Sequence, residues 1–574
     1  MKGEGCSKKG FLAGTLAALL LVIFFGAASS VALKKNNTWD ESAHILSGYA
    51  YIKKGMDWLS PLNHPVLGRA ISGALPAALL DLDFDESVIP EGAPNSNFFP
   101  YSLKFLYENT VDGGKILFLS RLGNIVLASL LGIFVFVWSR ELWGNKGAAL
   151  SVFLYALCPN IIANASIATT DLPITAFFFI SLYFIYSLDA KGLKLWRIVA
   201  TGVAMALALA SKHTALLLAP VTFVSFSIAL RREGKKALPY YAILVFTVYL
   251  SLWAVYGFRF HSGSPNYEPL NWGVFSSSSL MPVFDLLRAW RLLPEAYLYS
   301  VAGVVMGAST GRAAFLMGEY SNTGWWYYFI VAFLIKTPIP VLILLVASAL
   351  YLFAGRERLK YGLWLLLPAL FVFTAMSLQK VNIGIRHILP VYPFIFTLIG
   401  FVPLIRTRSA RVAKTVFAFL IAWYAYSAAS IYPHQLAYFN EFIGGPKNGY
   451  KYLVDSNLDW GQDLKGLKKY MDENHIDKIK LAYFGLSDPK YFGIDYEYLP
   501  SYAILEPVNV KDRVEPKGFF AVSATMLQGV YLADRDYYKV FKSLEPVGNV
   551  GYSIFIYNLG AGPKYFGNRE NTGK

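Results

Sequence analysis

The sequence predicts a mainly α-helical, polytopic membrane protein of about eleven spans with a small extracytoplasmic α/β domain at its C-terminus. Three observations carry this. Of 574 residues, 55% are hydrophobic and only 16% charged, whereas soluble proteins carry about a quarter charged residues. Apolar runs of spanning length recur up to residue 431, and the pattern turns mixed and polar after Tyr432. Lys and Arg collect in alternate turns between the runs, as the positive-inside rule requires.

The first run, Phe11 to Leu33, follows Lys8 and Lys9. At 1.5 Å per residue it covers roughly 34 Å, too long for a signal peptide, and it reads as an anchor with its N-terminus in the cytoplasm. Further runs lie near 116–138, 147–163, 172–188, 196–211, 213–230, 238–257, 326–353, 361–378, 386–404 and 411–431. The turns containing Arg140 and Lys146, Lys191 to Arg197, Arg231 to Lys236, Arg356 to Lys360 and Arg406 to Lys414 all fall on one side. The odd count puts the remaining large pieces on the opposite, extracytoplasmic face: loop 34–115, loop 258–325 and the domain 432–574. Residues 1–431 are expected to form the membrane domain, in a plasma or inner membrane. The net charge of +15 follows from this topology and gives no reason to invoke nucleic acid. Cys6 and Cys158 offer no disulfide framework.

The outer loops hold the residues with chemistry. In KNNTWDESAH, Thr38 and Glu41 have capping-box spacing, and Asp40 and His44 share a helix face, with His64 following in a proline-flanked turn. Lys212, Lys380 and Arg386 break the topological trend by lying on the outer face, with His387 beside Arg386. Single basic residues there commonly snorkel or pair; three together favour an anion site, and a phosphate fits the forked Arg and the point charge of Lys. Asp171 precedes the proline that opens a span, so it reads either as a helix start or as a second outer acid. Glu319 stands in a glycine-flanked turn, and Lys336 is a costly lysine inside an apolar run that calls for an internal pair or a polar cavity. His44, His64, Glu319 and Lys336 are substrate-binding candidates. Asp40, Glu41, His44 and His64 leave open a divalent metal ion, although adjacent acids at a helix start do not easily ligate one ion together.

The blocks WDESAHILSGYAYI with LNHPVLGRAISGALP, NIIANASIATTDLP, LALASKHTALLLAP, and GEYSNTGWWYYF with KTP resemble, in this order, the protein mannosyltransferase and aminoarabinose transferase families of the GT-C glycosyltransferases. The acid pair Asp40 and Glu41 is the most specific mark. The resemblance implies a GT-C membrane fold, a sugar donor carried on a polyprenyl phosphate, a hydroxyl acceptor (protein, lipid or glycan), a first-loop Asp as base and outer basic residues holding the phosphate. His64-Pro65-Val66 departs from the pattern, where a second proline is expected. Independently of the family, sugar transfer to a hydroxyl needs a base and a stabilised phosphate leaving group. Asp40 is the candidate base, with Glu41 and Asp171 as further catalytic acids, and Lys212, Arg386, Lys380 and His387 are the phosphate candidates. The rival readings are a transporter and a non-catalytic scaffold for surface polysaccharide or lipid-linked sugar.

After Tyr432, DSNLDWGQD approaches a calcium-loop pattern, but its glycine falls at the seventh position, and Gly466 stands where the closing Glu belongs. A turn leading into an amphipathic helix from Gln462 to Glu473 is expected instead, with strands at 479–484, 519–525 and 552–557.

Overall fold

The computed structural model describes residues 8–59, 64–85, 98–262, 270–276, 278–405, 409–502 and 517–560. Arg406, Arg408 and Cys6 lie outside these. Among the described residues, six helices are long and apolar enough to cross a membrane, or seven if one bent pair forms a span, which makes the chain a multi-pass membrane protein. Two of the six are helical hairpins. Gly113–Leu157 breaks at Gly144, where φ is +73°. The Tyr155 hydroxyl donates to Ala128 O at 2.6 Å, and Ser139 and Ser151 meet at 2.8 Å. Residues 27 apart in one straight helix would be separated by roughly 40 Å. His213–Val255 likewise turns back near Gly234, bringing the Ser225 and Tyr241 hydroxyls to 2.8 Å.

Each apolar run read from the sequence coincides with helix, but 326–353 is not one straight span. It is Tyr328–Lys336 and Ile339–Phe353, bent by 111°. Pro338 causes the break, since it lacks an N–H and pushes Thr337 before it into an extended conformation.

On the expected outer side, helices Glu41–Lys54 and Val66–Leu79 pack backbone to backbone. A Cβ on Gly48 would lie 2.0 Å from Arg69 O, and one on Gly73 would lie 2.1 Å from the Gly48 carbonyl carbon, so only glycine permits the crossing. The second outer loop forms helices Met281–Ala289 and Glu295–Thr310 and a hairpin of β1 (Ala314–Leu316) and β2 (Glu319–Ser321).

The C-terminal sheet contains β3 (Lys478–Ala482), β4 (Asp495–Tyr498), β5 (Gly518–Ser523), β6 (Gly548–Val550) and β7 (Ile554–Leu559), in the order β4-β3-β5-β7-β6. β3 runs parallel to β4 and β5, and β7 is antiparallel to β5 and β6. The amphipathic helix is Leu464–Glu473, and its Leu464, Leu467 and Met471 pack on Ile479, Leu481, Ala521 and Ile556 of the sheet. Three strands fall where the sequence places them within two residues. β4 and β6 are additional; both are edge strands too short to show a hydrophobic run.

The segment between the last span and this sheet reaches back into the outer loop. Trp39 N donates to Trp460 O at 3.0 Å, Asn36 N to Gln462 O at 3.2 Å, and Leu464 N to Asn36 Oδ1 at 2.7 Å. The DSNLDWGQD stretch therefore packs against the turn that leads to Asp40.

Candidate active site

Four expected residues converge. Asp40 sits at the N-cap of Glu41–Lys54 and makes no capping bond with its side chain, because Glu41 caps the turn in its place, with Oε2 accepting from Thr38 N at 2.7 Å. The Asp40 carboxylate is left to face Arg386, whose Nη1 lies 3.3 Å from Asp40 Oδ2 and 3.2 Å from Asp171 Oδ2. Lys212 Nζ donates to the other oxygen of Asp171 at 2.6 Å. The chain supplies these groups at element ends: Lys212 where helix Leu195–Ser211 stops, Asp171 at the start of Asp171–Lys191, and Arg386 in the turn Ile385–Ile388.

Exposure separates the two acids. The Asp171 side chain is 1% exposed and held by both cations, while that of Asp40 is 28% exposed. Asp171 thus orients Lys212 and Arg386, and Asp40 is the acid open to an incoming group.

His44 and His64 lie side by side with ring centroids 5.5 Å apart. Burial pulls the His44 imidazole down to about 4, against the opposing charge of Asp40, so it is neutral at pH 7. Burial also holds His64 well below its ordinary value, with His44 adding to the effect. Arg69 braces the His64 turn by donating to the carbonyls of His64 at 3.1 Å and Leu59. His64 Nδ1 and His387 Nε2 are buried without a hydrogen-bond partner, an uncommon condition in a folded interior.

Two further candidates are held by other partners. Glu41 is fully buried, bonded twice by Arg121 (Nε to Oε1 at 2.8 Å, Nη2 to Oε2 at 2.7 Å) and by Ala168 N at 2.7 Å. Its acceptor positions are all filled by these donors and by the Thr38 N–H and hydroxyl. Lys336 is held by backbone carbonyls. Its Nζ donates to the carbonyls of Leu436 (2.9 Å), Tyr438 (3.0 Å) and Asn457 (2.5 Å) and lies 4.3 Å from the centre of the Phe439 ring. These contacts use its three protons and fasten the C-terminal segment to the bent helix pair.

Glu319 begins β2 and is exposed, and Lys380 is exposed beside Gly311, so neither joins the central cluster. The turn of DSNLDW supplies groups that the sequence reading did not assign to the site. Ser456 Oγ accepts from Arg386 Nε at 3.1 Å, and the Trp460 ring lies under the guanidinium at 4.3 Å. Asp455, at φ +56°, accepts from the Tyr531 hydroxyl; burial raises its carboxyl while Arg312 opposes that. The density of polar residues in this stretch was a signal, absorbed by the failed calcium pattern. Nothing local pairs it with Arg386. Among the described residues no group of three His, Cys, Asp or Glu side chains could hold a metal ion, and Glu41 is committed to Arg121.

A helical membrane body thus carries an open carboxylate, a buried one and two cations gathered at the ends of its helices. Residues 113–256 match the family described as dolichyl-phosphate-mannose-protein mannosyltransferase, over about a quarter of the chain. The match spans the stretch that holds the blocks NIIANASIATTDLP and LALASKHTALLLAP, and it agrees with the resemblance they carry. Among solved structures, it is similar to ArnT from Cupriavidus metallidurans bound to undecaprenyl phosphate, with 12% identity, a TM-score of 0.48, and coverage of 96% of this chain and 98% of that one. It is also similar to the Archaeoglobus fulgidus oligosaccharyltransferase in complex with Zn and sulfate, with 13% identity, a TM-score of 0.40, and coverage of 79% and 55%. No curated protein sequence matches it closely enough to count as a relative.

Proposed function

We propose that the protein moves a sugar from a polyprenyl-phosphate donor to a hydroxyl acceptor on the extracytoplasmic face, with inversion at the anomeric carbon and Asp40 as general base. The observation that carries this is Arg386 shared between the open Asp40 and the buried Asp171, beside Lys212. A donor phosphate competes with Asp40 for the guanidinium and, on binding, frees the carboxylate it displaces. Asp40 then takes the proton of the acceptor hydroxyl as that oxygen bonds to the anomeric carbon. The bond from carbon to phosphate oxygen breaks with its electron pair going to the phosphate, and Lys212 and Arg386 stabilise the charge. Asp171 keeps both cations in place, and Ser456 and Trp460 fix the plane of Arg386. The unpartnered His64 and His387 nitrogens suit a polar ligand in the same space.

The reading includes eleven crossings, the N-terminus in the cytoplasm, and the outer loops with the region from residue 432 onward outside. The two helical hairpins support this count, because each supplies two passes. The test is transfer in detergent from a defined polyprenyl-phosphate sugar. Asp40→Asn keeps the shape of the side chain and removes the proton acceptor, so turnover falls by at least about 100-fold with donor binding retained. Near-normal turnover refutes Asp40 as base.

A further inference from the structure

A cleft of about 380 Å³ opens between the outer helix Phe99–Tyr107 and the C-terminal sheet. Asp40, Asp171, Lys212 and Arg386 do not line it, so it is separate from the transfer site. Tyr107, Tyr483, Tyr491, Tyr496 and Tyr498 do line it. Its charged groups are Lys104 and Lys490 against Glu108 and Asp488, two of each sign.

The local structure explains why the rings collect there. Tyr496 and Tyr498 are two apart on the edge strand β4, so both side chains leave the same face, and their ring centroids lie 6.0 Å apart. Opposite them, Tyr107 and Tyr491 meet at 4.4 Å, with the Tyr491 hydroxyl donating to Asp112 Oδ2 at 2.9 Å. Flat rings with polar tips suit a pyranose, which has an apolar C–H face and a rim of hydroxyls. Balanced carboxylates and ammoniums suit hydroxyl groups, which both donate and accept, better than they suit a ligand of one charge.

The cleft wall is fastened to the loop that carries Asp40. The hydroxyls of Tyr107 and Ser487 both donate to Asn37 Oδ1. Asn37 precedes Asp40 by three residues, a reach of at most about 11 Å along the chain.

We infer that this cleft binds a carbohydrate chain, and, resting on the transfer reading above, that the chain is the acceptor or the saccharide portion of it. A glycan held by the tyrosines presents one end toward the Asn37 to Asp40 turn.

The experiment is saturation-transfer NMR on the full-length protein in detergent, with a panel of linear oligosaccharides of glucose, mannose and N-acetylglucosamine. At least one binds the wild type. Tyr498→Ala and the double variant Lys104→Ala with Lys490→Ala each weaken it about five- to tenfold, the contribution of one ring or one pair of polar contacts. Undecaprenyl phosphate binding stays unchanged in both. The lysines are exposed, so the double variant decides the matter if Tyr498→Ala aggregates. The inference is overturned if no oligosaccharide binds the wild type, if both variants bind as well as it does, or if a random peptide pool binds the cleft and the sugars do not. Oligosaccharide binding by a protein that neither binds nor turns over polyprenyl-phosphate sugar would keep the cleft and remove the transfer reading. Full transfer without oligosaccharide binding would do the reverse.

Discussion

Glu41→Gln separates the structural acid from the chemical one. The Glu41 carboxylate accepts from Thr38 N and Oγ1, Arg121 Nε and Nη2, and Ala168 N, all within 3.1 Å, with no exposure to solvent. Gln keeps one acceptor oxygen and turns an NH2 toward N–H groups that cannot accept from it, with the Thr38 hydroxyl the one neighbour that can. It also leaves the Arg121 guanidinium, itself fully buried, without a counterion. Breaking a buried ion pair on one side costs about 3 to 5 kcal/mol, a large share of the 5 to 15 kcal/mol typical of a folded protein. The expected result is a thermal midpoint in detergent lower by about 2 to 4 °C, read by thiol-reactive dye or by tryptophan fluorescence. The monodisperse fraction recovered in the cold transfers sugar within about threefold of wild type, since Glu41 touches none of the groups around Arg386. Asp40→Asn gives the opposite pair of results, an unchanged midpoint and lost transfer. An unchanged midpoint in Glu41→Gln together with a loss of transfer of about 100-fold would refute the structural assignment and return Glu41 to the chemistry.

Lys212→Ala and Arg386→Ala each weaken undecaprenyl phosphate binding by about 10-fold or more, one charge-assisted contact being worth roughly 1.5 to 3 kcal/mol; titration of the purified variants checks this, and unchanged affinity in both moves the cations to a structural role. His44 has a folded value of about 4 against 6.5 when unfolded, so between those values the unfolded chain binds more protons, and stability falls as pH drops from about 6.5 toward 4. His44→Gln flattens that part of a thermal-midpoint profile, although Asp40, Asp171, Arg69, Arg386 and His64 also act on the imidazole; a profile identical to wild type over that window contradicts the assignment. For topology, a cysteine at exposed Asn558 labels with a membrane-impermeant maleimide from outside intact cells and one at Arg231 does not; the reverse pattern would make the span count wrong.

The sequence by itself determined that the chain is mainly helical with several apolar helices of spanning length, the capping relation of Thr38 and Glu41, the amphipathic helix at Leu464–Glu473 and three of the five C-terminal strands. These depend on apolar period and on neighbours three or four residues away, which a local reading sees. It also brought forward Asp40, Asp171, Lys212 and Arg386, because ionisable groups at the ends of apolar runs stand out against hydrocarbon. Only the tertiary structure decided what each charge faces. Glu41 and Arg121 are 80 residues apart, Lys336 finds its carbonyls 100 to 121 residues away, and Arg386 rests on Ser456 and Trp460 from the other side of the last span. A buried charge is stabilised by whichever partners the fold delivers, and that delivery is set by how the helices and the C-terminal segment pack, which no local periodicity records.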